Sequence, residues 1–302
     1  IHILLMTRII ISIFLSLFWA PNSFSQELGT HWICYPLPND SSEVLFSHTY
    51  VNQGRPQQAI LSFASPGKLR VYVNERNITQ DLCFSNPDTS TVTIQTYDVT
   101  RFMRPDSNIV AVWYAPTPGQ PISKQLSLEY YGKDHTGRDF YHKADGEWKC
   151  HLLEGCYIKR EEEHFDARSY DNNWKATDYD RRQWLSPLGA FQDEPQLSTS
   201  ADMYLCRNSH LQQILLPISS QMTEEGLLCD FERTYQGTIR LTLREAKKGE
   251  VLQIGGLTYT CSGEMDEQAF RRFTYSIGRS FTITDNHKLK KVQIMNIEGL
   301  DY

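Results

Sequence analysis

The chain has 302 residues, of which 40% are hydrophobic and 22% are charged, and its formal net charge is −6. This composition is typical of a globular protein. Because charges of both signs are interspersed, the chain has no basic surface for nucleic acid or for an anionic membrane, and the sequence excludes both classes of partner.

The first 25 residues have the pattern of a secretory signal peptide. Arg8 is followed by the apolar run IIISIFLSLFWA, which is too short to span a bilayer, and residues 23–25 (SFS) form a small-x-small cleavage site before Gln26. We expect translation to start at Met6 and cleavage to follow Ser25. The mature protein is then exported, to the periplasm or outside the cell. It has no membrane contact after cleavage, since no later stretch is long and apolar enough for a membrane helix.

Residues 43–142 predict an antiparallel β-sandwich. Six segments are rich in β-branched and aromatic residues and are separated by Gly, Pro, Asn or Asp: SEVLFSHTYV, QQAILSFA, KLRVYVN, TVTIQTYDV, NIVAVWYA and QLSLEYYG. Residues 68–73 alternate polar with apolar side chains, which predicts one packed face and one solvated face. The sequence has no Gly-rich phosphate loop and no strand–helix alternation, which excludes a nucleotide-binding α/β fold.

The mature chain is long enough for two domains, both predicted to be all-β. Residues 26–194 predict a jelly-roll-like β-sandwich and residues 195–302 a second β-sandwich, with the boundary near Pro195 in a polar connector. In the second domain GTIRLTLREAKKGEVLQIGG alternates on both sides of a turn at residues 246–249, which predicts a β-hairpin. The last predicted strand runs to Tyr302 with no polar tail, so we expect this sandwich to be cut short at its C-terminal end.

Seven cysteines are an odd number, so at least one is expected to be unpaired or to pair between chains. Cys150 and Cys156 flank a turn-like run of five residues, across which a disulfide could form in an exported protein. Buried free thiols are the alternative. The sequence has no CxxC pair and no HExxH, so no metal site is predicted.

The stretch from residue 147 to residue 191 predicts a joint between the two β domains. It combines three tryptophans with the polar run FDAR, in which Asp166 and Arg168 point to the same side of an extended chain and can bind one partner or each other. Aromatic faces beside planar polar groups suit a sugar. The candidate sugar-binding residues are Trp148, Asp166, Arg168, Asp171, Asn172 and Trp174. The alternative is that the same residues clasp the two domains together.

Two acidic groups are candidates for catalytic carboxylates, because glycoside hydrolysis uses a pair of them. The first comprises residues 161–163 with Asp166, and the second comprises Glu264, Asp266 and Glu267. Consecutive glutamates diverge and repel one another, so the first is expected to be a solvated loop. The second is expected to be a loop that is salt-bridged to Arg271 and Arg272. No catalytic residue is predicted in this chain.

The order of several motifs resembles the N-terminal β region of bacterial α-L-rhamnosidases. FDARSYDNNWKATDYDRRQW resembles the segment that closes the family's N-terminal β domain. VYVNERNIT and YDVTRFMRPDSNIVAV resemble motifs that come before it, and DFERTYQGTIRLTLREAKKGEVLQI resembles the strand pair of the next β-sandwich. The resemblance covers nearly the whole mature chain, from about Trp32 to Tyr302.

The resemblance implies a role for the chain. In this family an (α/α)₆ barrel after the β domains carries the catalytic carboxylates, and nothing in these 302 residues has the pattern of that barrel. The chain is therefore expected to be a non-catalytic accessory region of an exported α-L-rhamnosidase-like glycoside hydrolase, with rhamnose-containing glycans as partners. Some members bind rhamnose with calcium in a β domain, whereas Glu75 stands here where the family usually has Gly. A free-standing carbohydrate-binding or adhesion module is the alternative.

Overall fold

The structure, a computed structural model, describes residues 31–37, 41–79, 82–84, 94–116, 124–189, 207–285 and 293–302. In these ranges it consists of β-strands and three short 3₁₀ helices, at Thr100–Phe102, Ala167–Ser169 and Asn172–Lys175. The predicted all-β class is therefore confirmed. No helix in the described ranges is long and apolar enough to cross a membrane.

The first module contains thirteen strands. They are β1 (Ile33–Cys34), β2 (Ser42–Val51), β3 (Gln58–Ala64), β4 (Lys68–Val73), β5 (Arg76–Asn77), β6 (Leu82–Phe84), β7 (Ile94–Asp98), β8 (Ser107–Ala115), β9 (Gln125–Lys133), β10 (Asp139–Lys143), β11 (Lys149–Lys159), β12 (Glu162–Asp166) and β13 (Leu188–Gly189). The six segments predicted as strands correspond to β2, β3, β4, β7, β8 and β9. Alternation and turn residues were sufficient to locate them.

Two sheets pack face to face in this module. One has the order β13-β1-β9-β3-β7, with β10 also paired to β9, and the other contains β5-β4-β8-β2-β11-β12. Their facing side chains form a shared core that includes Phe46, Phe63, Val112 and Leu128. This arrangement is the predicted β-sandwich.

The second module contains nine strands. They are β14 (Arg207–Ser209), β15 (Gln213–Leu215), β16 (Ser219–Met222), β17 (Leu227–Arg244), β18 (Val251–Ile254), β19 (Leu257–Thr260), β20 (Asp266–Ala269), β21 (Ser276–Asp285) and β22 (Ile294–Asp301). The long strand β17 pairs with β16, β20, β21 and β22. β14 pairs with β6 of the first module.

One sheet of fourteen strands runs through both modules. The join is a parallel pair between β12 and β19, in which Glu163 lies beside Leu257 and Asp166 lies beside Thr260. A second core, which includes Trp113, Phe165 and Phe231, contains side chains from both modules. Hydrogen bonds and buried apolar surface therefore hold the modules together.

The prediction of one solvated face was wrong for the centre of the first module, where β8 is buried on both sides. Val112 contributes to the sandwich core, whereas Trp113 contributes to the core shared with the second module. On neighbouring β4, Lys68 donates from Nζ to the carbonyl oxygen of Phe273 at 2.9 Å. Alternation in β4 predicted the polar face correctly, but the second module covers that face.

The predicted hairpin at residues 237–256 was also wrong. Both strands exist, as β17 and β18, but β21 lies between them in the sheet. The connection of six residues is too long to fix the pairing, and alternation specifies the face of a strand but not its neighbour. β18 instead forms a hairpin with β19 through Gly255 and Gly256, whose φ angles are +47° and +85°. Two consecutive residues with positive φ are typical of a tight two-residue turn, and Gly-Gly in the sequence predicts one.

No disulfide joins Cys150 and Cys156, because both residues are buried free cysteines. Both lie on β11, which is irregular between Leu153 and Tyr157 where it pairs with β2. Cys150 belongs to the sandwich core and Cys156 to the core shared between the modules. The two thiols therefore lie on opposite sides of the sheet. The alternative prediction of buried thiols describes them correctly.

Several predictions concern residues outside the described ranges. They are the signal peptide at residues 1–25, the domain boundary near Pro195 and the state of Cys206. They stay predictions.

Candidate functional site

A cleft of about 710 Å³ opens where the two modules meet. We call it the junction cleft. It is lined by β4 and β8, by residues 165–175 and by residues 259–272. Three of the predicted sugar-binding residues line it, namely Arg168, Asp171 and Asn172.

The chain between Phe165 and Lys175 forms one wall of the cleft through two 3₁₀ turns. Asp166 begins the first turn, and its Oδ1 accepts the backbone N–H of Arg168 at 3.0 Å. Asp171 begins the second in the same way, since its Oδ1 accepts the N–H of Asn173 at 2.9 Å. Short acidic side chains favour this capping geometry. The local sequence thus shapes the wall and leaves the Asn172 amide exposed.

Asp166 and Arg168 bind each other. The Arg168 guanidinium donates from Nε to Asp166 Oδ1 at 2.9 Å and from Nη2 to Oδ2 at 2.6 Å. The hydrogen bonds from Arg168 lower the pKa of the Asp166 carboxyl. The carboxylate is therefore neutralised within its own turn. Of the two predicted alternatives for this pair, mutual binding is the one observed.

The placement of Trp148 and Trp174 corrects the expectation that they stack on a sugar. Each is 1% exposed, so neither indole presents a face to a ligand. Trp174 packs edge-on against Tyr72 at a ring distance of 5.8 Å and donates from Nε1 to the Tyr170 hydroxyl at 3.2 Å. Trp148 stacks on His48 in the sandwich core. Tryptophan surrounded by other aromatic residues is usually buried, and that tendency decided the outcome here.

Four cationic side chains line the cleft without an ion pair to any described carboxylate: Arg70, Lys175, Lys248 and Arg272. Arg70 donates from Nε to the Arg272 carbonyl oxygen at 2.8 Å. Lys175 donates from Nζ to the Tyr170 hydroxyl and to Asn172 Oδ1, both at 3.2 Å. Burial lowers the pKa of Lys175, and the like charge of Arg272 adds to this effect. Lys175 and Arg272 therefore lie close enough to repel each other.

Aromatic rings support these cations. The Arg272 guanidinium lies 3.7 Å from the centroid of the Phe165 ring and 4.6 Å from that of Phe270. Lys175 Nζ lies 5.0 Å from the centroid of Tyr72. Such contacts hold the cationic groups in place without neutralising their charge.

The acidic loop that contains Glu264, Asp266 and Glu267 also lines the cleft. Two of its three carboxylates already have hydrogen-bond partners. Asp266 accepts from Arg244 Nε at 2.9 Å, and not from Arg271 or Arg272 as expected. Glu267 is 5% exposed and accepts the Tyr259 hydroxyl at 3.0 Å and the backbone N–H groups of its own loop. Glu267 therefore shapes the loop, and this group has no pair of free carboxylates suited to acid–base catalysis.

Glu163 was expected in a solvated loop but is 1% exposed, which corrects that expectation. Its Oε1 accepts the backbone N–H of Arg272 at 2.7 Å. Its Oε2 accepts the N–H of Phe273 at 3.0 Å and the Thr274 hydroxyl at 3.0 Å. Glu163 alternates with exposed Glu162 along β12 and shares its face with buried Phe165. This alternation with a period of two could have predicted that Glu163 is buried. It was overlooked because Glu163 belongs to a run of three glutamates.

Glu43 is a second buried carboxyl at the junction, and sequence reasoning missed it. It is 1% exposed, and its Oε2 accepts from Trp113 Nε1 at 2.7 Å. Burial raises the pKa of Glu43 well above its ordinary value, and the charge of Glu163 adds to this effect. Nothing in the sequence singles Glu43 out, because its burial depends on the second module.

A smaller cavity of about 310 Å³ lies in the first module. Its lining includes His31, His48, Tyr50 and His142, and burial lowers the pKa values of His48 and His142. Among the described residues, no group of three or more His, Cys, Asp or Glu side chains is arranged to hold a metal ion.

No known family and no curated protein matches the sequence. The fold is similar to that of part of three α-L-rhamnosidases. That from Dictyoglumus thermophilum is 17% identical with a TM-score of 0.74, over 90% of this chain and 35% of that one. That from Streptomyces avermitilis, complexed with L-rhamnose, is 19% identical with a TM-score of 0.73, over 87% and 29%. That from Aspergillus terreus is 13% identical with a TM-score of 0.72, over 93% and 36%.

The chain thus spans about a third of the length of these three proteins. At such low identity the comparison establishes the fold alone. The predicted resemblance is confirmed at that level: the two β modules have the architecture of a partial, β-rich region of α-L-rhamnosidases.

Proposed function

We propose that the chain is the non-catalytic β region of an exported α-L-rhamnosidase-like glycoside hydrolase. In this role it supports an (α/α)₆ catalytic domain that acts on rhamnose-containing glycans. The observation that carries the proposal is the match of its fold, over about nine tenths of the chain, to about a third of the α-L-rhamnosidase from Dictyoglumus thermophilum.

The junction between the modules supports the role of a rigid scaffold. β12 and β19 extend one sheet across the two modules, and Glu163 binds three consecutive residues of the second module. A catalytic domain built against either module would therefore keep a fixed position relative to the other.

The carboxylates of this chain support the placement of catalysis elsewhere. Glu267 and Glu163 are occupied by backbone N–H groups, and Asp166 and Asp266 are held by arginines. A glycosidase needs an acid and a base or nucleophile that both face the scissile bond. The buried pair Glu43 and Glu163 cannot meet that need, because neither side chain reaches the surface.

The test compares this chain with the complete protein that its gene encodes. Both are purified and incubated with an aryl α-L-rhamnoside, and release of the aryl group is followed by absorbance. We expect release by the complete protein and none by the 302-residue chain. Release by the chain alone would overturn the placement of catalysis, and inactivity of the complete protein on α-L-rhamnosides would overturn the assignment of the substrate.

A second candidate is a free-standing carbohydrate-binding or adhesion module, and the junction cleft favours it. Arg168, Asp171 and Asn172 reach this cleft, and amide and carboxylate groups suit sugar hydroxyls. Titration of the chain with L-rhamnose, with and without calcium, tests this candidate through tryptophan fluorescence, because Trp113 lines the cleft. A saturable change would support a binding module, and a requirement for calcium would show that the ion takes part in binding. A flat response in both titrations would exclude rhamnose as its ligand.

A further inference from the structure

We propose that the junction cleft binds an anionic glycan, by holding the carboxylate of a uronic acid residue between Arg70, Lys175 and Arg272. The inference deepens the proposed function and rests on it, since it names the class of glycan that the β region contacts.

The first step of the argument is the balance of charge in the cleft. Two carboxylates in or beside the cleft are already ion-paired, since Arg168 holds Asp166 and Arg244 holds Asp266. The lining groups that remain without an ion pair are the cations Arg70, Lys175, Lys248 and Arg272 and the carboxylates Asp171, Glu264 and Glu267. Four positive charges against three negative charges leave one positive charge in excess, which an anionic ligand would neutralise.

The second step is the arrangement of the donors. Arg70 and Arg272 are joined by a hydrogen bond from side chain to backbone, and Lys175 and Arg272 influence each other electrostatically. Each of the three groups uses only part of its donor capacity, because a guanidinium has five N–H donors and an ammonium has three. A planar carboxylate is the acceptor that best matches a guanidinium, which can bind it through two parallel hydrogen bonds.

The third step is the shape and surface of the cleft. Its volume of about 710 Å³ lies within the range of about 300–1,000 Å³ that is typical of ligand sites. Tyr170 and Phe270 are half-buried and offer apolar surface to a pyranose ring, and the amides of Asn172 and Asn173 are exposed beside them for its hydroxyls. A small inorganic anion would contact the cations but not these aromatic rings and amides.

The test uses a matched pair of ligands and isothermal titration calorimetry of the chain at low salt. The first ligand is a trisaccharide of uronic acid residues, and the second is the same trisaccharide with its carboxylates reduced to alcohols. We expect saturable binding of the acidic form, at least tenfold weaker binding of the neutral form, and a loss of affinity as sodium chloride is raised. Equal affinities for both forms, or no binding of either, would overturn the proposal.

The variant is Lys175→Gln, because the hydrogen bonds of Lys175 within the described residues go to two side chains close by in sequence, Tyr170 and Asn172. The matched control is Lys159→Gln, which removes the same charge from an exposed site on β11. We expect about a tenfold loss of affinity for the acidic trisaccharide in the first variant and no change in the second. If both variants lose affinity equally, binding reflects only the net charge and the proposed site is wrong.

Two further experiments distinguish this inference from a simple anion site and from the proposed function. Titration with sodium sulfate tests whether the cleft is merely an anion site, and sulfate binding as tight as that of the acidic trisaccharide would overturn the role of the sugar. The rhamnoside assay of the complete protein stands apart from these titrations. A complete protein that releases rhamnose, with a chain that binds no uronide, would overturn this inference and keep the proposed function. The reverse result would overturn the proposed function alone.

Discussion

The carboxylate of Glu163 in the first module accepts the backbone N–H of Arg272 in the second at 2.7 Å. The same carboxylate also binds Phe273 and Thr274, so one side chain satisfies a whole turn of the other module. Arg272 then extends its guanidinium over the ring of Phe165, two residues along β12 from Glu163. β12, the strand that joins the two modules, therefore also positions side chains that line the cleft.

Glu163→Gln should destabilise the chain by about 1–3 kcal/mol, because the amide keeps one acceptor oxygen and sets an NH₂ group against a backbone donor. The measurement is the free energy of unfolding in urea. Glu162→Gln is the control on the same strand, since Glu162 is exposed, and it should change stability by less than about 0.5 kcal/mol. Equal effects of the two substitutions would show that Glu163 does not clamp the modules.

Glu43→Gln should remove a dependence of stability on pH. The folded-state pKa of Glu43 is raised by burial and by the charge of Glu163, so the folded chain keeps a proton that the unfolded chain releases above about pH 4.5. Stability of the parent should therefore fall as pH rises from that value toward the folded-state pKa, by up to about 1.4 kcal/mol per pH unit. The amide mimics the protonated side chain and can still accept from Trp113.

The readout is the difference between the unfolding free energies of Glu43→Gln and of the parent, measured from pH 5 to pH 8. The unfolding free energy of the variant minus that of the parent should increase as pH rises. Glu232→Gln serves as the control for the loss of a charge, because Glu232 is exposed on β17, and its difference from the parent should stay flat. A flat difference for Glu43→Gln as well would mean that Glu43 is ionised in the folded chain.

Trp174→Ala should act on stability and not on a binding surface. Its indole is 1% exposed and packs against Tyr72 and Trp184, so truncation should cost about 3–5 kcal/mol. Lys175→Gln, one residue further on, should leave the melting temperature nearly unchanged. Thermal unfolding by circular dichroism distinguishes the two. A folded Trp174→Ala variant with parental stability would contradict the packing role.

The strands and the fold class could be predicted from the sequence because period-two alternation and turn residues are local signals. Pairing could not, since β21 separates β17 from β18 by contacts that lie far apart in the chain. The sequence predicted only some of the residues that line the junction cleft, for the same reason. Arg168, Asp171 and Asn172 stand in one local motif, whereas Arg70 and Arg272 are brought to the cleft by tertiary structure from distant strands and loops.

Cys150 and Cys156 should both be free thiols that react slowly in the folded chain. Burial raises the pKa of each to about 12, which keeps the reactive thiolate scarce. Alkylation with iodoacetamide followed by mass spectrometry should label Cys34, which is only partly buried, before either of them. Denaturant should abolish the difference. A cross-linked peptide containing both cysteines in an unreduced digest would contradict the structure.

Glu75→Gly should stabilise the chain slightly. Asn74 and Glu75 form the two-residue turn between β4 and β5, and their φ angles are +48° and +72°. Asn tolerates this region, whereas Glu carries strain of about 1 kcal/mol that Gly avoids. Part of the gain is offset by the greater freedom of glycine in the unfolded chain. The ion pair lost with Arg104 spans 3.8 Å between half-exposed side chains and contributes little.

The net gain expected from Glu75→Gly is about 0.5 kcal/mol in the free energy of unfolding. Glu75→Ala is the matched control, because it removes the same ion pair but retains the Cβ that causes the strain. It should give no gain. If both variants gain equally, the ion pair rather than the backbone is unfavourable here; if neither gains, the turn holds Glu75 without strain. A gain confined to Glu75→Gly would explain physically why the resembling motif of α-L-rhamnosidases usually has Gly at this place.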